Sequence, residues 1–295
     1  MNFGRRTPEA EARRIVDRAL DQGVTDLDTA NVYADGESER IVGRAVGARR
    51  DRVRVTTKVG AWRNEGLRAD RVVASLDESL ARLATDFVDV YLLHLPDPST
   101  AFEATLEGVA RVLESKKARA WGVSNFAAWQ ISELNHLCDA CGVPRPAHSQ
   151  VLYNVAVRQL ELEYFAFTRR SPIETIVYNP LAGGLLARPP EEPTPKGARL
   201  EANALYRRRY GSETMRRFAL RCDAIAKSAG LSLLQLSLAW VFEREGVDVV
   251  LLGPATEAHL AQALEASRVR LDPAVAQALD EAGRELTGTD ASYAR

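Results

Sequence analysis

Four residues capable of proton chemistry stand at or just beyond the ends of short apolar runs. They are Asp28 and Tyr33 in DLDTANVYADGESE (26–39), Lys58 closing RVTTK (54–58) and His94 closing VDVYLLH (88–94). A phenol has a reference pKa of about 10 and is a poor acid at neutral pH. A lysine ammonium about 4 Å away attracts the phenolate by roughly 4 kcal/mol at an effective dielectric of 20, enough to lower that pKa by up to about three units. Tyr33 could then donate a proton. Asp28 would fix and balance the Lys58 charge, and a neutral His94 would orient a substrate carbonyl through one ring nitrogen. Singly, each has a structural reading: Asp28 as a turn residue, Tyr33 as half-buried packing, Lys58 as a surface cation, His94 as a core histidine. Packing alone gives no reason for four complementary groups at consecutive strand ends.

Such a set needs strands that deliver it to one rim. Apolar runs recur at 25–28, 54–58, 88–94, 118–124, 148–153, 174–179 and 248–253. Between them lie amphipathic stretches such as RVVASLDESLARLA and FAAWQISELNHLCDACG, apolar at i, i+3, i+4 and i+7. A βα unit of roughly thirty residues, repeated, predicts a parallel sheet, and so many units favour closure into a (β/α)8 TIM barrel, one domain over residues 1–295. Seven strands are counted, so MNF stands where a first strand would be, truncated or missing through a late start or replaced by another segment. Thr7 and Pro8 read as N-cap and first residue of a helix ending before Gly23, and Asn154–Leu160 as the lead into another. The Pro- and Arg-rich stretch from Leu186 to about Ser212, after the seventh strand if MNF counts as the first, reads as a long lid loop. Helices are expected at about 212–229, 231–245 and 257–266, then a C-terminal helical tail.

In a parallel barrel the active site lies at the carboxyl ends of the strands. In strand order those ends carry Asp28 with Tyr33, Lys58, His94, Ser124 with Asn125, Gln150, and Tyr178 with Asn179. The chain has neither a G-x-G-x-x-G opening a helix nor a phosphate-binding G-x-x-x-x-G-K-[ST], so a dinucleotide would need another cradle. With 46% hydrophobic and 27% charged residues the composition is globular, and a net charge of -1 offers no global attraction to polyanions. Neither nucleic acid nor a membrane is an expected partner. The start lacks an apolar stretch after its basic residues, no long apolar run follows, and three cysteines suit a reducing compartment, so a cytoplasmic location is expected. Cys138 and Cys141 form a C-x-x-C, read as structural because a closed zinc site would lack ligands.

DLDTANVYADGESE, TTKVG and LLHLPD resemble the segments that carry the catalytic tetrad of the aldo-keto reductases. GVSNFAAWQ, QVLYN and YNPLAGGLL resemble those that hold the nicotinamide end of NADPH in that superfamily. VYADGESE, SNFAAW, RQLELEYF, LYRRRY and the terminal ASYAR are most similar to the aflatoxin-aldehyde and succinic-semialdehyde reductase branch. The resemblance implies reduction of a small carbonyl compound, with hydride passing from C4 of the nicotinamide to the carbonyl carbon and Tyr33 protonating the oxygen. It implies that Ser124, Asn125 and Gln150 hold the carboxamide, that Tyr178 stacks on the ring, and that Asn179, Pro180, Leu181, Gly183 and Leu185 run beneath the pyrophosphate. Gly253, Thr256, His259 and Gln262 fall at the adenosine-phosphate end, with Arg188 and Arg199 as further phosphate contacts. Trp62 is carried over to the substrate side, and Tyr206, Arg209 and Arg295 to a substrate carboxylate, which an arginine fork suits. YRRRY has a plainer reading as a solvated charged face. The chain departs from the family at Ala255, His259 and Ala263, and at Pro189, where a lysine is common. The resemblance implies NADPH as the coenzyme, while these departures make the NADP preference less secure and leave NADH open; a homo-oligomer is left open too. A secondary-metabolite ketoreductase, or a nucleotide-sensing subunit like the potassium-channel β-subunits, are the alternatives the resemblance carries.

Overall fold

The computed structural model describes residues 2–195 and 197–287. Its strands are β1 (Asp26–Asp28), β2 (Arg54–Val59), β3 (Val88–Leu93), β4 (Ala118–Ser124), β5 (His148–Leu152), β6 (Glu174–Tyr178) and β7 (Val249–Val250). Helices alternate with them: α1 (Glu9–Asp21), α2 (Glu37–Val46), α3 (Ala69–Leu83), α4 (Phe102–Glu114), α5 (Ala128–Cys141) and α6 (Tyr164–Arg170). After β6 come α7 (Arg199–Ala202), α8 (Ala204–Tyr210), α9 (Glu213–Ser228) and α10 (Leu233–Phe242), and after β7 come α11 (Glu257–Ala266) and α12 (Pro273–Thr287). The chain divides into two compact units: Met1–Val151 with Ser171–Thr175 and Gly253–Leu260, and Leu152–Arg170 with Ile176–Leu252 and the remainder from Ala261.

In the first unit β1 to β5 lie side by side in chain order, every pair parallel, in registers such as Asp28↔Thr56, Lys58↔Leu92 and Ser124↔Gln150. Strand β3, VDVYLL, is buried at every position, as a central parallel strand covered on both faces must be. Strand β1 is exposed or half-buried throughout. Helix α3 buries a stripe of Val72, Leu76, Leu80 and Leu83, the i, i+3 and i, i+4 spacing of an amphipathic helix on a core. Gly43 lets α2 approach it closely, because a Cβ there would overlap the Leu83 carbonyl. These contacts fix the strand ends that carry Asp28, Lys58, His94 and Ser124.

Residues 2–7 form a closed turn, with the Asn2 carbonyl accepting the N–H groups of Arg5, Arg6 and Thr7 at 3.0–3.1 Å. Thr7 was expected to cap α1, but its hydroxyl donates instead to the Ala255 carbonyl at 2.9 Å, and α1 starts at Glu9 with Pro8 as its N-cap. The side-chain amide of Asn2 likewise donates to the carbonyls of Gly253 and Pro254, at 2.8 and 3.1 Å. Tertiary partners outcompete the local cap.

In the second unit β6 pairs in parallel with β7, Ile176↔Val249 and Val177↔Val250. The long loop expected up to Ser212 contains two short helices, α7 and α8, the second capped by Asn203, whose Oδ1 accepts from Leu205 N at 2.9 Å. The helix expected to follow Asn154–Leu160 is a 3₁₀ turn over Gln159–Glu161, with α6 only from Tyr164. Ser232 and Gln235 form a reciprocal capping box on α10, which starts at Leu233. Asp280 anchors α12 by accepting from Trp240 Nε1 and Arg158 Nη1, each at 3.0 Å, and from Arg244. Among the described residues no single helix is long and apolar enough to cross a membrane.

Candidate active site

Lys58, at the carboxyl end of β2, is the centre of a charged cluster in the first unit. Its side chain is fully buried, and Nζ donates to Asp28 Oδ1 at 2.5 Å and to the Thr29 carbonyl at 2.8 Å. The other carboxylate oxygen, Asp28 Oδ2, accepts from Gln150 Nε2 at 2.9 Å. Burial pulls the Lys58 ammonium below the ordinary lysine range, opposed by the charge and hydrogen bond of Asp28 and the charge of Glu39. Removing one partner of such a buried pair typically costs about 3–5 kcal/mol, because it strands the other.

Lys58 Nζ also lies 5.1 Å from the centroid of the Tyr33 ring, whose edge-on neighbour is His94, 5.8 Å away with the planes at 81°. Burial first, and then the Lys58 charge, hold the His94 imidazole down to a pKa of about 3, so it is neutral at physiological pH. Its Nδ1 is buried and bonds no protein atom. A buried ring nitrogen without a partner is costly unless a ligand satisfies it.

The turn that presents Tyr33 is strained, with Ala34 at φ 51° and Asp35 at φ 52°. Left-handed backbone costs a non-glycine residue roughly 1–2 kcal/mol, so other contacts must hold the turn. Tyr33 N donates to the Ala30 carbonyl at 3.1 Å, the hydroxyls of Thr29 and Ser38 meet at 2.9 Å, and Asn31 Nδ2 donates to Glu65 Oε1 at 2.8 Å. Below it, fully buried Glu39 accepts from Thr57 Oγ1 and Arg82 Nε, each at 2.5 Å.

Ser124, Asn125 and Gln150 continue the row of strand ends. Asn125, at φ 64°, donates from Nδ2 to the His94 carbonyl at 2.9 Å and to Ser124 Oγ at 3.0 Å, while its N–H donates to the Gln150 carbonyl at 3.0 Å. A nicotinamide carboxamide offers one acceptor oxygen and an NH₂. A hydroxyl and two primary amides can match both, so the donor set fits that group. Trp62 follows on the loop after β2, its ring flanked by the guanidinium groups of Arg63 at 4.9 Å and Arg82 at 5.3 Å. Gly253, Thr256 and His259 also belong to this unit; Thr256 Oγ1 caps α11 by accepting from His259 N at 3.2 Å.

Tyr178, Asn179, Pro180, Leu181, Gly183, Leu185, Arg188, Arg199, Tyr206, Arg209 and Gln262 all fall in the second unit. Asn179, at φ 64°, organises the turn after β6: Oδ1 accepts from Gly183 N at 2.6 Å, and Nδ2 donates to Tyr210 Oη at 2.8 Å. Asn154 Nδ2 donates to the same phenol oxygen at 3.2 Å and to the Asn179 carbonyl at 3.0 Å. Burial raises the Tyr210 phenol to about 12. Tyr206 is buried against Gly183, where a Cβ would overlap its ring. Arg209 is half-buried, whereas Arg207 and Arg208 are exposed. Arg188 and Arg199 are half-buried and Gln262 is exposed. Arg295 lies outside the described residues.

Three residues were missed in the sequence. Glu65 gathers five donors around one carboxylate, and Asn31 is the donor that reaches it from the Tyr33 turn. Glu11 accepts the first N–H of α11, from Glu257, at 2.7 Å. Only Asn31, inside the motif itself, left a signal that could have been read.

The Aldo/keto reductase family model matches residues 1–284. The human protein named aflatoxin B1 aldehyde reductase member 2 is 33% identical, over 96% of this chain and 84% of its own length. Human aldo-keto reductase family 7 member A3 is 32% identical over 100% of this chain and 95% of its own. Methylglyoxal reductase YeaE of Escherichia coli (strain K12) is 31% identical over 89% and 81%. A match across almost the whole length, on a chain that gathers a carboxylate, an amine, a phenol and an imidazole at its strand ends, places it: the chain belongs to the aldo/keto reductase family and is an NAD(P)H-dependent oxidoreductase.

Proposed function

We propose that this protein reduces small aldehydes or ketones to alcohols with NADPH, using Tyr33 as the proton donor and Asp28, Lys58 and His94 as its supports. The observation that carries the reading is the buried Lys58 ammonium, 2.5 Å from Asp28 and 5.1 Å from the Tyr33 ring centroid. The chemistry a bound nicotinamide supplies is hydride donation to the carbonyl carbon. Tyr33 Oη gives its proton to the oxygen as negative charge develops there, and the Lys58 charge stabilises the phenolate left behind. Asp28, held by Gln150, keeps Lys58 in place. Neutral His94 orients the carbonyl through a ring nitrogen. Ser124, Asn125 and Gln150 hold the carboxamide, Tyr178 stacks on the ring, and the turn from Asn179 to Leu185 lies beneath the pyrophosphate. Arg188, Arg199, Gly253, Thr256, His259 and Gln262 are the proposed partners of the phosphates and adenosine.

The relatives' names support small aldehydes and dicarbonyls as the substrate class. Tyr206 and Arg209, with Arg295, are the proposed grip on a substrate carboxylate, and Trp62 is a further proposed substrate contact. We take the chain as one (β/α)8 barrel domain, supported by a single family match and the alternation of strands and helices, and as cytoplasmic on the reading that three cysteines suit a reducing compartment.

The test is purified protein with NADPH and, separately, NADH against a carbonyl panel that includes succinic semialdehyde and a dicarbonyl. Turnover of several carbonyl compounds is expected. Tight coenzyme binding without turnover of any would favour a nucleotide-sensing role. Arg209→Ala is expected to raise KM for acidic aldehydes and spare neutral ones; equal losses on both would contradict the carboxylate grip.

A further inference from the structure

Glu65 lies on the loop after β2, with its side chain 6% exposed. Its Oε1 accepts from Asn31 Nδ2 and Gly60 N, each at 2.8 Å, and from Trp62 N at 3.4 Å. Its Oε2 accepts from Ser75 Oγ at 2.6 Å and Arg71 Nη2 at 3.0 Å. Burial alone would raise the carboxyl, but the donors from Ser75, Asn31, Gly60 and Arg71 together outweigh it and keep it ionised. Four of the five donors belong to the Glu65 loop and to α3. The fifth comes from Asn31, which is itself fully buried and lies two residues before Tyr33.

That crossing bond matters because the Tyr33 turn is not self-supporting. Ala34 and Asp35 both hold left-handed backbone, which persists only where surrounding contacts over-determine it. The Asn31 N–H makes only a long bond, 3.4 Å, to the Lys58 carbonyl, and Asn31 Oδ1 is buried with no protein partner. The amide of Asn31 is thus committed through Nδ2 alone, to Glu65. The same carboxylate binds Gly60 N, two residues beyond Lys58. One anion therefore grips the segment after the amine and the segment before the phenol.

We propose that Glu65 is a positioning residue for the reductase, a buried tie that sets Tyr33 over Lys58 by holding Asn31. The inference rests on the reading of Tyr33 as the proton donor. Asn31→Ala cuts the crossing bond and leaves the four others. Glu65→Ala removes all five. Glu65→Gln keeps an oxygen for Asn31, Gly60 and Trp62 and turns its NH₂ toward the Ser75 hydroxyl, which can accept, so that only the bond from Arg71 is lost.

The experiment measures kcat, KM and coenzyme Kd for these variants, with hydrogen exchange of the peptide spanning residues 29–37. In Asn31→Ala and Glu65→Ala, kcat is expected to fall about 10- to 100-fold, the effect of misplacing a reacting group by about an ångström. Coenzyme Kd should stay within about twofold, and Glu65→Gln should recover most of the loss. Exchange over residues 29–37 should rise in the alanine variants while that of β4 does not. Wild-type kcat and wild-type exchange in Asn31→Ala would overturn the proposal, and that variant decides the matter if Glu65→Ala does not fold. So would a loss of kcat matched by an equal weakening of coenzyme binding. Exchange needs no turnover, so a wild-type protein that reduced no carbonyl compound would sink the reductase reading and still leave the tie to be judged on residues 29–37.

Discussion

The strand-end cluster of the first unit and the network beneath the Asn179 turn of the second both hold polar side chains in buried places, by opposite means. In the first unit the groups are ions: Lys58 on Asp28, Glu39 between Thr57 and Arg82, Glu65 among five donors. In the second the buried groups are neutral: two asparagine amides converge on the Tyr210 phenol, which the half-buried Arg209 also reaches, and Asn179 Oδ1 fixes Gly183. A buried charge responds strongly to loss of its partner and tunes the acidity of its neighbours, whereas a neutral network mainly fixes shape. On the proposed reading, the first region moves a proton and the second holds a contour.

The sharpest way to break that contrast is Lys58→Met. If the ion acts on the proton donor, kcat should fall by about 10²- to 10⁴-fold, with little change in coenzyme affinity. A smaller loss, shared between kcat and coenzyme Kd, would make Lys58 a structural ion. Tyr210→Phe is the complementary probe. It strands two amide N–H groups at about 1–3 kcal/mol each, which should appear as lost stability in denaturant and weaker coenzyme binding, with kcat at saturation nearly unchanged. A large fall in kcat would erase the distinction between the regions.

The next effect is on pH and has a definite sign. The His94 pKa is about 3 in the folded protein and about 6.5 unfolded. Below pH 6.5 the unfolded chain binds a proton that the native state refuses, so stability is complete above pH 6.5 and lost as pH falls toward 3. At pH 5 the loss from this group is about 2 kcal/mol. Denaturation of wild-type and His94→Gln protein at about pH 7 and about pH 5 checks it, since the variant should lack this component. Nor should kcat show a limb from His94 between pH 5 and 8. An imidazole limb near 6.5 would mean that the ring is solvated.

The strands were legible because each is a short run, most of them rich in Val, Leu and Ile, that recurs between amphipathic helices: the seven runs read from the sequence agree with β1 to β7 within a few residues at each end. The clustering of Asp28, Tyr33, Lys58 and His94 was legible for a related reason, since strand-end positions in a βα repeat share one end of the sheet. Thr7 misled, because local pattern predicts a cap while a carbonyl 248 residues away takes the hydroxyl. Glu65 and Glu11 were invisible because nothing in RNEGLR or EAEARR distinguishes a carboxylate that accepts backbone N–H groups from a solvated one. Burial of an ion is decided by which backbone N–H groups the fold brings to it. The short helices α7 and α8 were hidden by proline and arginine content that normally marks open loop.

The central claim is that Tyr33 gives the proton while Lys58 holds the charge it leaves. It is tested most directly by Tyr33→Phe, measuring turnover and coenzyme Kd on the same preparation. The account predicts a fall in kcat of about 10²- to 10⁴-fold with coenzyme affinity almost unchanged. Wild-type turnover in that variant would contradict it.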